Sequence, residues 1–145
     1  MLAAGAPSLS LPVCPILDAK QKNVYAARYD VSGAQPAKSP DFFLGPIIDW
    51  LPSITQPALF LGDGCALYRD AIIRRLGDKA HFAPPDTWWP RVGVLARLGS
   101  ARFQAGQRDD PAHLLPLYLY PLDCSVRGPD RLTAVLPKTT TAVAK

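Results

Sequence analysis

The sequence predicts an α/β domain, a small sheet with helices packed on it. Three observations carry that reading: an alternating two-armed stretch over residues 13–31, a continuous apolar run at Ala58–Leu61 that enters a glycine turn, and two later segments with helical periodicity. The chain has 145 residues and a mass of 15.7 kDa. That length suits one domain with a real core and is short for a two-domain enzyme. Hydrophobic residues make up 48% and charged residues 19%, a globular balance, and no apolar run approaches the roughly 18 residues of a membrane span. The 16 prolines are about twice the usual share of about 5%, so elements should be short.

The first element is a hairpin. Val13–Ala19 leads through Lys20-Gln21-Lys22-Asn23 into Val24–Val31, where Tyr25, Ala27, Tyr29 and Val31 share one face and Val24, Ala26, Arg28 and Asp30 the other. Only the first face is wholly apolar, which marks it as the packed side. Pro15 removes a ladder donor and places the first arm at a sheet edge, or turns the missing N–H outward. Ser32–Pro40 has loop composition.

Gly45-Pro46 opens a short helix through Ile47, Ile48, Trp50 and Leu51, which Pro52 stops. Two turns gain little from propensity, so Ile47 with Trp50 or Leu51 must dock. Ala58–Leu61 reads as a strand buried on both faces. After Gly62-Asp63-Gly64, residues 66–76 form a helix with Leu67, Ala71, Ile72 and Leu76 inward, Arg69, Arg74 and Arg75 outward, and Gly77 as the stop.

Asp86 or Thr87 precedes a last helix beginning near Pro90, with Val92, Leu95, Ala96, Gly99 and Phe103 on its buried stripe and Gly106 at its end. Gly99 there permits close approach by another backbone. Leu114–Pro121 is an apolar, proline-bounded extended segment. Residues 127–145 have the composition of a disordered tail, so the domain is expected to span residues 1–126.

Sixteen Lys and Arg against twelve Asp and Glu give a net charge of +4 and a pI of about 9.1. The basic residues are dispersed, which suits solvated helix faces better than a nucleic-acid module. Cys14, Cys65 and Cys124 cannot all pair and lack the spacing of a zinc or redox site, so a reducing, cytoplasmic compartment is expected. Met1–Leu17 has no positive n-region and is broken by Pro7, Pro12 and Pro15, so it reads as mature chain and not as a signal peptide.

Few residues point to chemistry. His81 and His113 are too far apart for a helical metal pair, no serine sits in a G-x-S-x-G elbow, and no cysteine carries a nucleophile signature. Gly62-Asp63-Gly64 is the one suggestive turn. It is either a nucleotide or anion cradle at a helix N-terminus, or a tight turn in which Asp63 bonds its own backbone. Asp18 is either a turn former or a partner-facing charge. Tyr25 and Tyr29 read as packing residues. Trp88-Trp89 marks either a buried contact or a partner interface.

Leu17-Asp18-Ala19-Lys20 running into Val24-Tyr25-Ala26-Ala27-Arg28-Tyr29, then Leu61-Gly62-Asp63-Gly64 with Tyr68-Arg69, then Pro116-Leu117-Tyr118-Leu119, resembles in order and spacing the TsaB (YeaZ) family. There the hairpin reads D-A-R-x-G-E-V-Y, the turn G-D-G or G-x-G, and the close P-x-Y-L-R. Here Lys22 and Asn23 stand in place of Gly and Glu, and Tyr120 in place of the closing arginine. The resemblance covers about residues 1–123. It implies the second subdomain only of an actin-like (ASKHA, ribonuclease H-like) fold with a small mixed sheet. The D-T-S opening and G-P-G-S-F-T-G segment of the first half are missing, and Met1–Ala6 resembles the link between the halves.

The function so implied is a non-catalytic accessory and dimerisation subunit. It would work with a TsaD-like transferase and a TsaE-like ATPase in forming threonylcarbamoyladenosine in tRNA, as a half-molecule, with catalysis in the transferase. No cofactor of its own is expected, ATP or ADP being an option at a partner interface. No membrane partner is expected, a homodimer is an option, and direct tRNA contact stays open. Two alternatives compete: a nucleotide-binding, ATPase-type fragment using Gly62, Asp63 and Gly64, and a module that self-associates through Trp88, Trp89 and the Val92 stripe.

Overall fold

A computed structural model describes residues 1–6, 11–30 and 41–120. The Ser32–Pro40 loop, the 127–145 tail and Cys124 lie outside the described residues. Strands β1 (Val13–Asp18), β2 (Asn23–Ala26), β3 (Phe43–Pro46), β4 (Ala58–Leu61) and β5 (Ala80–Phe82) form one sheet in the order β3-β2-β1-β4-β5. Helix α1 (Ile47–Trp50) follows β3, α2 (Gly64–Leu76) joins β4 to β5, and α3 (Val92–Gln104) comes last. β1, β2 and β3 are antiparallel, whereas β4 runs parallel to both β1 and β5, so the sheet is mixed.

The hairpin forms in the expected place, but its first arm is the central strand and not an edge. One register runs through it, from Asp18 opposite Val24 down to the bridge of Val13 with Tyr29. Opposite Pro15 the ladder thins. Ala27 N–H donates to Pro15 O at 3.4 Å with no N–H to answer it, and pairing resumes where Val13 and Tyr29 exchange bonds of 2.8 and 2.9 Å. The sheet tolerates a central proline at the cost of one bond.

The packed face of β2 is also the reverse of the expected one. Val24 and Ala26 are buried in the core, while Tyr25 and Tyr29 are half-buried. Arg28 and Asp30 do not mark the wet face of β2, since they follow its end and pair with each other at 3.1 Å.

The main core lies between one sheet face and helices α1 and α2. Cys14, Ile16, Val24, Ala26 and Phe60 meet Ile47, Trp50 and Leu51 from the α1 turn and Cys65 and Ile72 from α2. The short helix docks as its length requires, and Ile48 points outward. Ala58–Leu61 is buried on both faces, since Leu59 and Leu61 belong to a second cluster with Ala3, Val13 and Ala83.

In α2 the inward row is Cys65, Tyr68, Ile72 and Leu76, with Ala71 beside it; Leu67, expected inside, is exposed. Docking against β1 at the first turn sets that rotation. Arg69 lies over the Phe82 ring at 4.1 Å, a cation–π contact that shields the edge strand. β3 and β5 were not anticipated: Gly45-Pro46 reads as a helix opening, and Ala80-His81-Phe82 is too short to show alternation.

α3 differs most. It starts at Val92, while Thr87 Oγ1 instead closes a 3-10 turn on Pro84 O at 2.7 Å. Its predicted buried stripe faces outward, and Val94, Leu98 and Ala101 are the half-buried row. Val94 packs on the N-terminal segment, where a Cβ on Gly5 would lie 3.3 Å from Val94 Cγ2. Nothing approaches Gly99 within 4 Å. Two apolar rows on opposite sides of one helix satisfy the same spacing, and only the fold decides between them.

Both buried thiols, Cys14 and Cys65, are pushed up by burial to about 12 from 9.0. Both should therefore resist iodoacetamide at pH 8 in the native protein and label at unfolding. Unfolded thiols ionise first, so their contribution to stability holds below pH 9.0 and is lost as pH rises above it. Labelling of either at the rate of a free thiol would contradict the burial.

Candidate functional site

The chemistry-bearing residues gather at the carboxyl ends of parallel strands β1 and β4, the place where open α/β sheets usually bind ligands. β4 ends at Leu61 and Gly62 takes φ +108°, a conformation side chains rarely adopt. A Cβ on Gly62 would lie 2.2 Å from Ile16 O, and one on Gly64 would lie 2.6 Å from Ile16 Cγ2. The backbone that these glycines admit is that of β1.

Asp63 sits between them and does not bond its own turn. Its Oδ1 accepts the Asp18 N–H at 3.1 Å, tying the turn to the end of β1. Two of the first N–H groups at the start of α2 donate to turn carbonyls, Cys65 to Gly62 O at 3.0 Å and Ala66 to Asp63 O at 3.2 Å. Gly62, Asp63 and Gly64 thus serve as a joint between two strands.

Asp18 works as a turn former. Its Oδ1 accepts the Lys20 N–H at 3.0 Å and its Oδ2 pairs with Lys20 Nζ at 2.5 Å. The side-chain bond from Lys20, then the backbone bond, hold its carboxyl below the usual 3.8, and Asp18 in turn raises the Lys20 ammonium. Lys20, Gln21 and Lys22 all have left-handed φ values of 65°, 50° and 65°. Such a triple without glycine is strained and persists because bonds flank it: Ala19 N–H to Asn23 O at 3.0 Å and Asn23 N–H to Lys20 O at 2.9 Å.

The residue sequence reasoning missed is Tyr120. Its hydroxyl donates to Ala19 O at 2.6 Å and accepts from Asn23 Nδ2 at 3.4 Å, and its ring meets Tyr25 edge-on at 6.0 Å. The extended segment predicted at Leu114–Pro121 has no regular secondary structure over residues 114–119, and Tyr120 anchors it on the hairpin tip. Tyr120 stands where the pattern that the chain resembles has an arginine, and that departure was the available signal. The Tyr68 hydroxyl, raised by desolvation and then by the Asp18 charge, faces the same region from α2.

The tryptophans separate. Trp88 Nε1 donates to Ala83 O at 2.9 Å and its ring packs on both core clusters, whereas Trp89 is exposed. On the sheet face away from α2, Pro15, Leu17, Tyr25, Tyr29 and Phe42 line an apolar groove of about 240 Å³. His81 lies on β5 and His113 pairs with Asp110 at 2.6 Å. Among the described residues no group of three or more His, Cys, Asp or Glu is placed to hold a metal ion, and no helix is long and apolar enough to cross a membrane.

No protein-family profile matches the chain, and no curated protein matches it significantly. Solved structures do match. One is the crystal structure of an uncharacterised protein with similarity to the peptidase YeaZ from Pseudomonas aeruginosa, at a TM-score of 0.57 and 18% identity, covering 77% of this chain and 50% of that one. The chain thus spans half the length of that protein. The likeness defines the class by fold: a mixed α/β unit with a five-stranded sheet and packed helices, fitting an actin-like architecture.

Replacing Asp63 by Ala should leave the half-buried Asp18 N–H without its acceptor and lower stability by about 1 kcal/mol in denaturant unfolding. Asp18 adds a pH dependence. Its folded pKa is depressed, so its contribution is present above 3.8 and is lost as pH falls through the folded value. Asp18→Asn should flatten that acid limb; an unchanged limb would remove Asp18 from the account.

Proposed function

We propose that this chain is a TsaB-like accessory and dimerisation subunit in the formation of threonylcarbamoyladenosine in tRNA, working in the cytoplasm. The carrying observation is the fold likeness to half of a YeaZ-like chain, which coincides with the order of the hairpin, glycine-turn and P-x-Y-L motifs.

The chemistry at the strand ends supports a non-catalytic role. Asp18 and Asp63 both accept backbone N–H groups, and the two buried thiols stay protonated at neutral pH. Residues occupied in this way hold a fold together and leave the reacting groups to a partner. In this reading the partner is a TsaD-like transferase, with a TsaE-like ATPase supplying nucleotide turnover. ATP or ADP would bind at the contact between subunits.

The test is reconstitution of the full chain with the cognate transferase and ATPase. A complex in size-exclusion chromatography, and a gain in modified tRNA over the two partners alone, are expected. The absence of both a complex and a gain would overturn the reading.

A further inference from the structure

α3 is apolar on two opposite sides. Its inner row, Val94, Leu98 and Ala101, is half-buried, with Val94 against Gly5, and its outer row, Val92, Leu95, Ala96, Gly99 and Phe103, faces solvent. The exposure is substantial: Val92 is 82% exposed, Leu95 55% and Phe103 63%. A helix apolar on both sides is suited to lie between two layers, and here one layer is present.

The outer row is shaped. Offsets of three, four, seven and eleven put these five residues along one ridge, bulky at Leu95 and Phe103 with the small Ala96 and Gly99 between them. Nothing lies within 4 Å of a Cβ placed on Gly99. A notch between two bulky side chains admits the ridge of a crossing helix, a shape that a flat lipid surface does not require.

Charge selects among helices. Residues 87–108 carry Arg91, Arg97, Arg102 and Arg108 and no Asp or Glu. Arg108 lies over the Phe103 ring at 3.7 Å, at the border of the stripe. Arg91 pairs with Asp86 at 3.1 Å and Arg102 with Asp109 at 3.4 Å, both solvent-exposed; Arg91 also donates to Asp86 O at 3.3 Å and Arg102 Nε to Gln107 Oε1 at 3.0 Å. Such pairs are weak and exchange readily. A second copy of α3 would set arginine against arginine, whereas carboxylates beside an apolar ridge would complement it.

We propose that the outer face of α3 docks an amphipathic helix of another protein, its apolar ridge crossing at Gly99 and its flanking Glu or Asp side chains meeting Arg91, Arg102 and Arg108. This surface does not depend on the reading under the previous heading.

Two designed 21-residue helical peptides with the same leucine ridge test it, one flanked by Glu and the other by Lys, titrated against the full chain by fluorescence anisotropy. The Glu peptide should bind saturably, at least tenfold tighter than the Lys peptide, and more weakly as salt rises. Gly99→Leu fills the notch without a clash and Leu95→Asp places a charge on the stripe; each should weaken binding at least tenfold with the thermal melt preserved. No binding, equal affinity for both peptides, or binding indifferent to both substitutions would overturn the proposal. So would a concentration-dependent dimer abolished by Leu95→Asp, which assigns the face to a second copy. Partition onto phosphatidylserine-containing vesicles without peptide binding would assign it to a membrane surface.

Discussion

The Gly62–Gly64 turn lies directly on the backbone of Ile16, and most of the molecule is arranged around that approach. Because the turn has no side-chain layer there, β4 can sit parallel beside β1 and α2 can start immediately above it, placing Cys65 and Ile72 on the core side of the sheet. Asp63 then closes the joint by taking the last free N–H of β1. The position of α1 follows as well, since Ile47, Trp50 and Leu51 fill the space that α2 leaves over β2 and β3.

That arrangement accounts for two oddities of β1. Its proline is tolerated in a central strand because only one ladder position, opposite Ala27, loses a donor, and pairing resumes on that side where Val13 and Tyr29 exchange hydrogen bonds. Its far end turns through three left-handed residues because Asp18 is held from two sides, by Lys20 and by the joint with Asp63. Tyr120 adds a third restraint from a segment a hundred residues later in the chain. The strained tip is therefore clamped by groups distant in sequence, which is the condition under which such backbone persists.

How much of this could be read in the sequence depends on whether the signal was local. The strand–glycine turn–helix unit was legible because an apolar run, two glycines and a 3.6-residue period all lie within residues 58–77. The docking of Ile47 and Trp50 followed from the shortness of their helix. The inward face of β2 and of α3 was not legible, since each element carries two apolar rows and periodicity does not say which one meets the sheet. At the strand ends Gly62, Asp63 and Gly64 were recognised, but what the glycines approach is set by β1, and the role of Tyr120 by a contact spanning the chain. β3 and β5, at the sheet's edges, were too short to show a pattern.

The mixed topology also fixes an order of assembly. β1, β2 and β3 are neighbours in sequence and pair as a meander, joined through residues 19–22 and 27–42, whereas β1 and β4 meet across a separation typified by Asp18 and Asp63, 45 positions apart. Closing that longer loop has the larger entropic cost and is rewarded only when β4, the turn and α2 arrive together. On loop-closure entropy alone, the meander is expected to pair before the parallel half. Without residues 58–76, the edge of β1 that β4 covers would be unpaired, the kind of open edge on which chains associate wrongly.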